Sequence, residues 1–254
     1  MSSGRYLYCI IPGYQQIDFG AVGIDGMQVY GISQGDLTVL IHNCEAKPYD
    51  SADEKKIAGW VLTHEKVTVR AMDEFGAVLP LRFNTIIQGE NDQEVDRQVK
   101  KWIEDDHDIL IEKLKKLKGK SEYGVQISWD MEVVSNEIMG EDVEIKGLAK
   151  DIEKMSEGLA YMNRQKLENL LKRKLEEKAD IVFKQYYSSI SDCVDEVKIE
   201  RTKRVQEPKQ MIMNLSCLTT DTKTLSAELD KIEKSNGFFV RFTGPWPPYS
   251  FVEG

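Results

Sequence analysis

The sequence predicts an α+β protein of two domains, and three observations carry the prediction. Tyr123, Val125, Ile127, Trp129 and Met131 alternate with Gly124, Gln126, Ser128 and Asp130, which is strand spacing. From Leu148 to Tyr186 apolar residues recur every three or four positions, which is helix spacing. Between these kinds of run, Gly119-Lys120-Ser121 ends a helical stretch just before a fresh strand, and this sets the expected boundary between domains 1–120 and 121–254.

Composition agrees. The chain has 254 residues, against ~100–200 for a typical domain. Hydrophobic residues make up 41% and charged residues 30%, a mixture able to bury a core. Lys and Arg number 34 against 43 Asp and Glu, a net charge of -9. Broad binding to nucleic acid or to an anionic membrane surface needs clustered positive charge, so neither is expected. No apolar run approaches the ~20 residues of a membrane helix. The apolar part of MSSGRYLYCIIPG is too short for a signal peptide, so a cytoplasmic protein is expected. Cys9, Cys44, Cys193 and Cys217 form no CxxC pair and read as reduced thiols, three of them in apolar stretches.

In the first half, Arg5–Ile11 is apolar on both faces, as a central strand would be. Met27–Ile32 and Leu37–His42 read as short strands joined by a turn at Gln34-Gly35-Asp36. Ser51 and Glu54 have capping-box spacing. They open a helix striped by Ile57, Trp60, Val61, Val67, Ala71, Met72 and Phe75 and stopped by Gly76. Val78–Ile87 is strand-like, but Pro80 confines it to an edge or to the beginning of a strand. A single helix from Asn91 to Leu117 follows, with Val95, Val99, Trp102, Ile103, Ile109, Leu110, Leu114 and Leu117 in its stripe. Its acidic start and its closing Lys113, Lys115, Lys116 and Lys118 suit the helix dipole, so the lysines read as a solvated end. These elements match no named fold.

In the second half, residues 132–147 show no period. The Leu148–Tyr186 run would span on the order of 60 Å as one helix, with Gly158 the natural break if it is two. Cys193–Arg201 is a highly charged strand, and 211–217 is an uncharged one. A short helix fills Asp221–Asn236, closed by Asn236-Gly237, and Phe238, Val240 and Phe242 form the last strand. The order β-α-β-β-α-β is the split, ferredoxin-like arrangement with sheet order 4-1-3-2. Charge suits the second strand to an edge, and its absence suits the third to the interior.

The residues of chemistry are scattered. His64-Glu65 lacks the second histidine of a zinc-binding HExxH helix. Asp105-Asp106-His107-Asp108 are consecutive helical residues that diverge rather than converge. The glycines from Gly20 to Gly26 fit neither GxGxxG nor a P-loop, and no GxSxG occurs. No catalytic centre, metal or cofactor is expected. Tyr123 and Trp129 share a face with Val125 and Ile127, which makes them core rather than an RNA-stacking platform.

The end of the chain is unusual. Three prolines between Phe242 and Val252 exclude helix and regular ladder, yet Trp246, Tyr249 and Phe251 are large apolar groups at a terminus. Polyproline geometry would set Trp246 and Tyr249 on one side. The tail either folds back as a lid on the C-terminal domain or supplies a partner surface.

Three stretches, FTGPWPPYSFV at 242–252, LPLRF at 79–83 and YLYCII at 6–11, resemble the GvpF/GvpL family of gas vesicle proteins, and the resemblance runs nearly end to end. Asn84 stands where the family commonly has Gly; Asn tolerates positive φ. The motif residues Leu79, Pro80, Arg82, Phe83, Gly244, Pro245, Trp246, Pro247, Pro248, Tyr249 and Phe251 are the candidates for structure or partner binding. In the first motif Leu81 and Phe83 should face one way, and Arg82 the other, against a carboxylate or a carbonyl cluster. The resemblance implies a non-enzymatic minor structural and assembly protein of two α+β domains. Its partners would be the hydrophobic major gas vesicle shell protein, whose aggregation it limits and whose shell it helps nucleate, and other minor gas vesicle proteins. Its place would be the gas vesicle, on the gas-facing side. The contrasting class is a ligand-binding or enzymatic ferredoxin-like protein with an unrecognised site.

Overall fold

A computed structural model describes residues 3–252. The chain divides into two compact units, Met1–Glu122 with Pro245–Gly254, and Tyr123–Gly244.

The first unit is built around β1 (Ser3–Pro12), whose residues 4–11 are all buried. On one side it pairs antiparallel with β4 (Leu37–Glu45). On the other it pairs antiparallel with β5 (Leu79–Pro80) and β6 (Ile86–Gly89). Beyond β4 lie β3 (Val29–Gln34) and β2 (Asp18–Gly20), giving the order β2-β3-β4-β1-β5. The expected single strand over Val78–Ile87 is thus two short ones, because the chain turns between them at Arg82–Thr85, with Asn84 at φ 68.

Side chains alternate across β1 until its register slips between Leu7 and Cys9. Tyr6, Tyr8, Cys9 and Ile11 join one core with Trp60, Val67 and Ala71 of α1 (Glu54–Phe75). On the opposite face Arg5, 2% exposed, donates from Nε to Asp96 at 2.9 Å and from a terminal nitrogen to Asp92 at 3.0 Å, both on α2 (Asp92–Asp105). The N-cap of α1 is Asp53, which accepts from the Lys55 N–H, rather than Ser51, whose hydroxyl accepts from the Asp53 N–H. Gly76 ends α1 at φ 67, a left-handed conformation that suits glycine. The expected single helix to Leu117 is two, α2 and α3 (His107–Leu117), since Asp106 at φ -103 and ψ 8 leaves helical geometry.

The second unit carries β7 (Ser121–Asp130), α4 (Met131–Glu141), α5 (Val143–Ile152) and α6 (Glu157–Ser191). After them come β8 (Glu196–Ile199), β9 (Lys209–Thr219), α7 (Thr222–Glu233) and β10 (Phe238–Trp246), whose last two residues belong to the first unit. Its sheet runs β10-β7-β9-β8. The charged β8 is an edge, and the uncharged centre of β9 is interior and buried. Val125 and Ile127 of β7 pack with Met213, Leu215 and Cys217 of β9 and Leu225, Leu229 and Ile232 of α7. The segment without period is α4 and the start of α5. Asp130 caps α4, and Asp142, accepting the Ile145 N–H at 3.0 Å, starts a new helix that resets the phase. The long apolar run breaks at residues 153–156, not at Gly158, which lies in the first turn of α6. The last strand continues through Pro245, against expectation. It is an edge, where the missing N–H removes no ladder bond.

Candidate functional site

Tyr6 and Tyr8 are fully buried, and a buried phenol needs a hydrogen-bond partner. Each finds a histidine. The Tyr6 hydroxyl lies 2.8 Å from His64 Nδ1, and His64 Nε2 lies 3.0 Å from the Leu81 carbonyl. A carbonyl only accepts, so Nε2 carries the proton and Nδ1 accepts from Tyr6. The Asn84 N–H donates to the Tyr6 oxygen at 3.3 Å. In parallel, the Tyr8 hydroxyl lies 2.8 Å from His42 Nδ1, and His42 Nε2 lies 2.8 Å from the Tyr49 hydroxyl. The Tyr8 oxygen accepts the Ile24 N–H at 3.0 Å.

Asn84 ties the two chains together. Its side-chain oxygen accepts the Tyr49 N–H at 2.9 Å, and its amide nitrogen donates to the Tyr49 carbonyl at 3.2 Å. A glycine here would adopt the same left-handed backbone but make neither bond. Trp60 closes the cluster: its ring packs edge-on to Tyr49 at 5.2 Å, and its indole N–H donates to Asp25 at 2.8 Å.

Burial sets the charge state. It pushes His42 and His64 down to about 4 and raises the Tyr6 and Tyr8 phenols, while Tyr49 rises to about 12. These histidines and tyrosines are therefore neutral at pH 7. The network's donors and acceptors serve one another, so its chemistry is that of a lock between segments distant in sequence.

The tail completes this lock, against the expected lid on the C-terminal domain. Residues 245–254 belong with the first unit, not with the C-terminal domain. Pro247 and Pro248 are buried, and the Tyr249 ring tilts against His64 at 6.2 Å. Phe251, 3% exposed, lies beside Ile109, Glu112 and Lys113 of α3. Glu122 fastens the segment, accepting the Ser250 N–H at 2.8 Å and the Ser250 hydroxyl at 2.6 Å. Burial raises the Tyr249 phenol, and the Thr68 hydroxyl beside it works in the opposite direction.

Trp246 does not dock with Tyr249. Pro248 has ψ 59, far from the polyproline value, and Tyr249–Phe251 form a 3-10 turn, so residues three apart no longer share a side. Trp246 stays 41% exposed. Gly244, at φ 124, needs to be glycine. In the other motif Leu79 and Pro80 are buried, and Phe83 packs on Tyr6 and His64, each at 6.1 Å. The Arg82 side chain is exposed rather than held inside.

The three family-like stretches therefore meet around His64, a residue whose sequence context offered only an incomplete zinc motif. The available signal was Tyr6 and Tyr8, hydroxyls on a strand buried on both faces, together with a histidine in each of two apolar runs. Among the described residues, no group of three or more His, Cys, Asp or Glu is placed to hold a metal ion. No helix there is long and apolar enough to cross a membrane. None of the four cysteines forms a disulfide.

The family model described as "Gas vesicle synthesis protein GvpL/GvpF" matches residues 4–253. Gas vesicle protein L1 of Halobacterium salinarum is 28% identical over 266 residues, covering 99% of this chain and 91% of that protein. Gas vesicle protein F of Nostoc sp. is 25% identical over 261 residues, covering 100% and 99%. Among solved structures, the crystal structure of GvpF from Anabaena sp. is similar in fold, with a TM-score of 0.78, 23% identity and 99% of each chain covered.

Proposed function

The chain belongs to the GvpL/GvpF family of gas vesicle synthesis proteins, and on that premise we propose that it is a minor structural and assembly protein of gas vesicles. In this reading it binds the hydrophobic major shell protein, limits its aggregation and helps nucleate the shell. It meets other minor gas vesicle proteins and sits on the gas-facing side. It is not an enzyme. The observation that carries the reading is a family match spanning nearly the whole chain.

The physics is consistent. An apolar shell subunit in water exposes surface and strand edges that associate indiscriminately. A partner of net charge -9 can cover such surface and repel its own copies. We read the second unit as a separately folded, ferredoxin-like domain, supported by the strand order β10-β7-β9-β8.

The test is co-expression of the shell protein with and without this chain. The expected result is a larger share of shell protein in the supernatant, co-purifying with the chain. Equal pelleting in both cases, with no co-purification, refutes the proposal.

A further inference from the structure

The rings of the tail divide into two sets. Tyr249 and Phe251 are seated in their own unit, whereas Trp246 is 41% exposed and faces the outer side of α1, where Leu62 is 54% exposed. Between them runs an open groove of about 600 Å³, lined by Leu62, Glu65, Lys66, Val69, Asp73 and Trp246 among others. Positions 62, 66, 69 and 73 are three or four apart, so they form one stripe along the helix.

The groove is apolar at its floor and acidic at its rim. Arg70 is occupied by its own chain: it bonds Glu74 at 2.7 Å and the Phe19 carbonyl at 3.2 Å, and stacks 3.9 Å from the Phe19 ring. Of the charges left, Glu65 and Asp73 oppose Lys66, and neither carboxylate has an ion pair among the described residues.

We propose that this groove seats an amphipathic helix of the gas vesicle shell protein, with large apolar side chains on its docking face and Lys or Arg along its flanks. The inference rests on the shell-protein reading above and gives that partner a place. A helix is specified because the groove's long wall is itself a helix. Along that wall the backbone groups are spent internally, so a docking strand would find no ladder there, whereas a helix satisfies its own backbone. Basic flanks are specified by the acidic rim. A second copy of this chain is disfavoured on the same ground, since it carries the same net negative charge and the same rim. The volume accommodates two or three anchoring side chains rather than a whole helix.

The experiment is capture of co-expressed shell protein by the full chain and by its variants, paired with denaturant melts. Trp246→Ala and Leu62→Arg should each reduce capture roughly tenfold or more, as loss of a central anchor does. Their melts should stay close to wild type, because neither side chain belongs to the buried core. Ile181→Lys, at an exposed position of the second unit, should capture normally. Undiminished capture by both groove variants, with wild type capturing, overturns the groove alone. No capture by wild type overturns the parent reading and this one with it. Groove variants that capture normally but lose a dimer seen by sedimentation assign the groove to a second copy and overturn the proposal.

Discussion

Acid should loosen the first unit through its two buried histidines. Both rings are almost fully enclosed, His42 at 0% and His64 at 3% exposure, so solvent does little to screen them. The unfolded chain takes up a proton on each near pH 6.5, and the folded chain only near about 4. The folded pKa is the depressed one, so the stability these rings contribute is complete above about 6.5 and is lost as pH falls toward 4. The difference corresponds to about 3 kcal/mol for each ring. His107 acts in the opposite sense. Asp36 and then Asp108 raise its pKa, so its contribution is present in acid and lost as pH rises. Asp92, held down by the Ser3 hydroxyl and Arg5, loses its contribution as pH falls from the ordinary carboxylate range toward its depressed value. Denaturant melts of the full chain at pH about 7.5 and about 4 should therefore show a large acid loss, and His64→Gln should shrink that loss by about 3 kcal/mol. The same variant should be less stable by about 1–3 kcal/mol at the higher pH, because Tyr6 and the Leu81 carbonyl lose their partner. An acid loss identical in wild type and variant would refute the assignment of a neutral, enclosed His64.

Phe251→Ala should cost about 3–5 kcal/mol in a denaturant melt, as a large-to-small core change does. Trp246→Ala should cost under about 1 kcal/mol, as changes at well-exposed positions usually do. Asn84→Gly should keep its backbone and lose about 1–3 kcal/mol with its two bonds to Tyr49. Asn84→Ala should lose a further ~1 kcal/mol from left-handed strain, so thermal melts should rank Asn above Gly above Ala. Fragment 123–244 should show a cooperative melt by circular dichroism on its own. Fragment 1–122, lacking the tail that seats on it, should melt below the corresponding transition of the full chain.

The second unit was largely legible because period and chemistry pointed the same way. The alternation in β7 and β9 marks strands, and the charge on β8 against the uncharged β9 orders them. Helix boundaries were less legible where a cap resets the phase. Asp142 splits the 131–152 segment into two helices too short to show a period. Asp106 breaks a helix without interrupting its apolar stripe, so one was expected where two stand. The lock around His64 was not legible, because it joins Tyr6, His64, Leu81 and Tyr249 across most of the chain and each reads alone as ordinary core. The tail's composition left a lid and a partner surface both open, and its seat depends on Glu122 and α1, which no local pattern in the tail encodes. Asn84 looked like a tolerated departure, and its two bonds to Tyr49 give it a specific part.

The most direct test is oxidative footprinting of the chain, free and bound to shell protein, read at Trp246 with amide exchange read along residues 62–73. The account predicts that Trp246 oxidises readily in the free chain and becomes protected in the complex together with α1, while Phe251 is protected in both states. Protection confined to other surfaces, with Trp246 equally reactive free and bound, would contradict it.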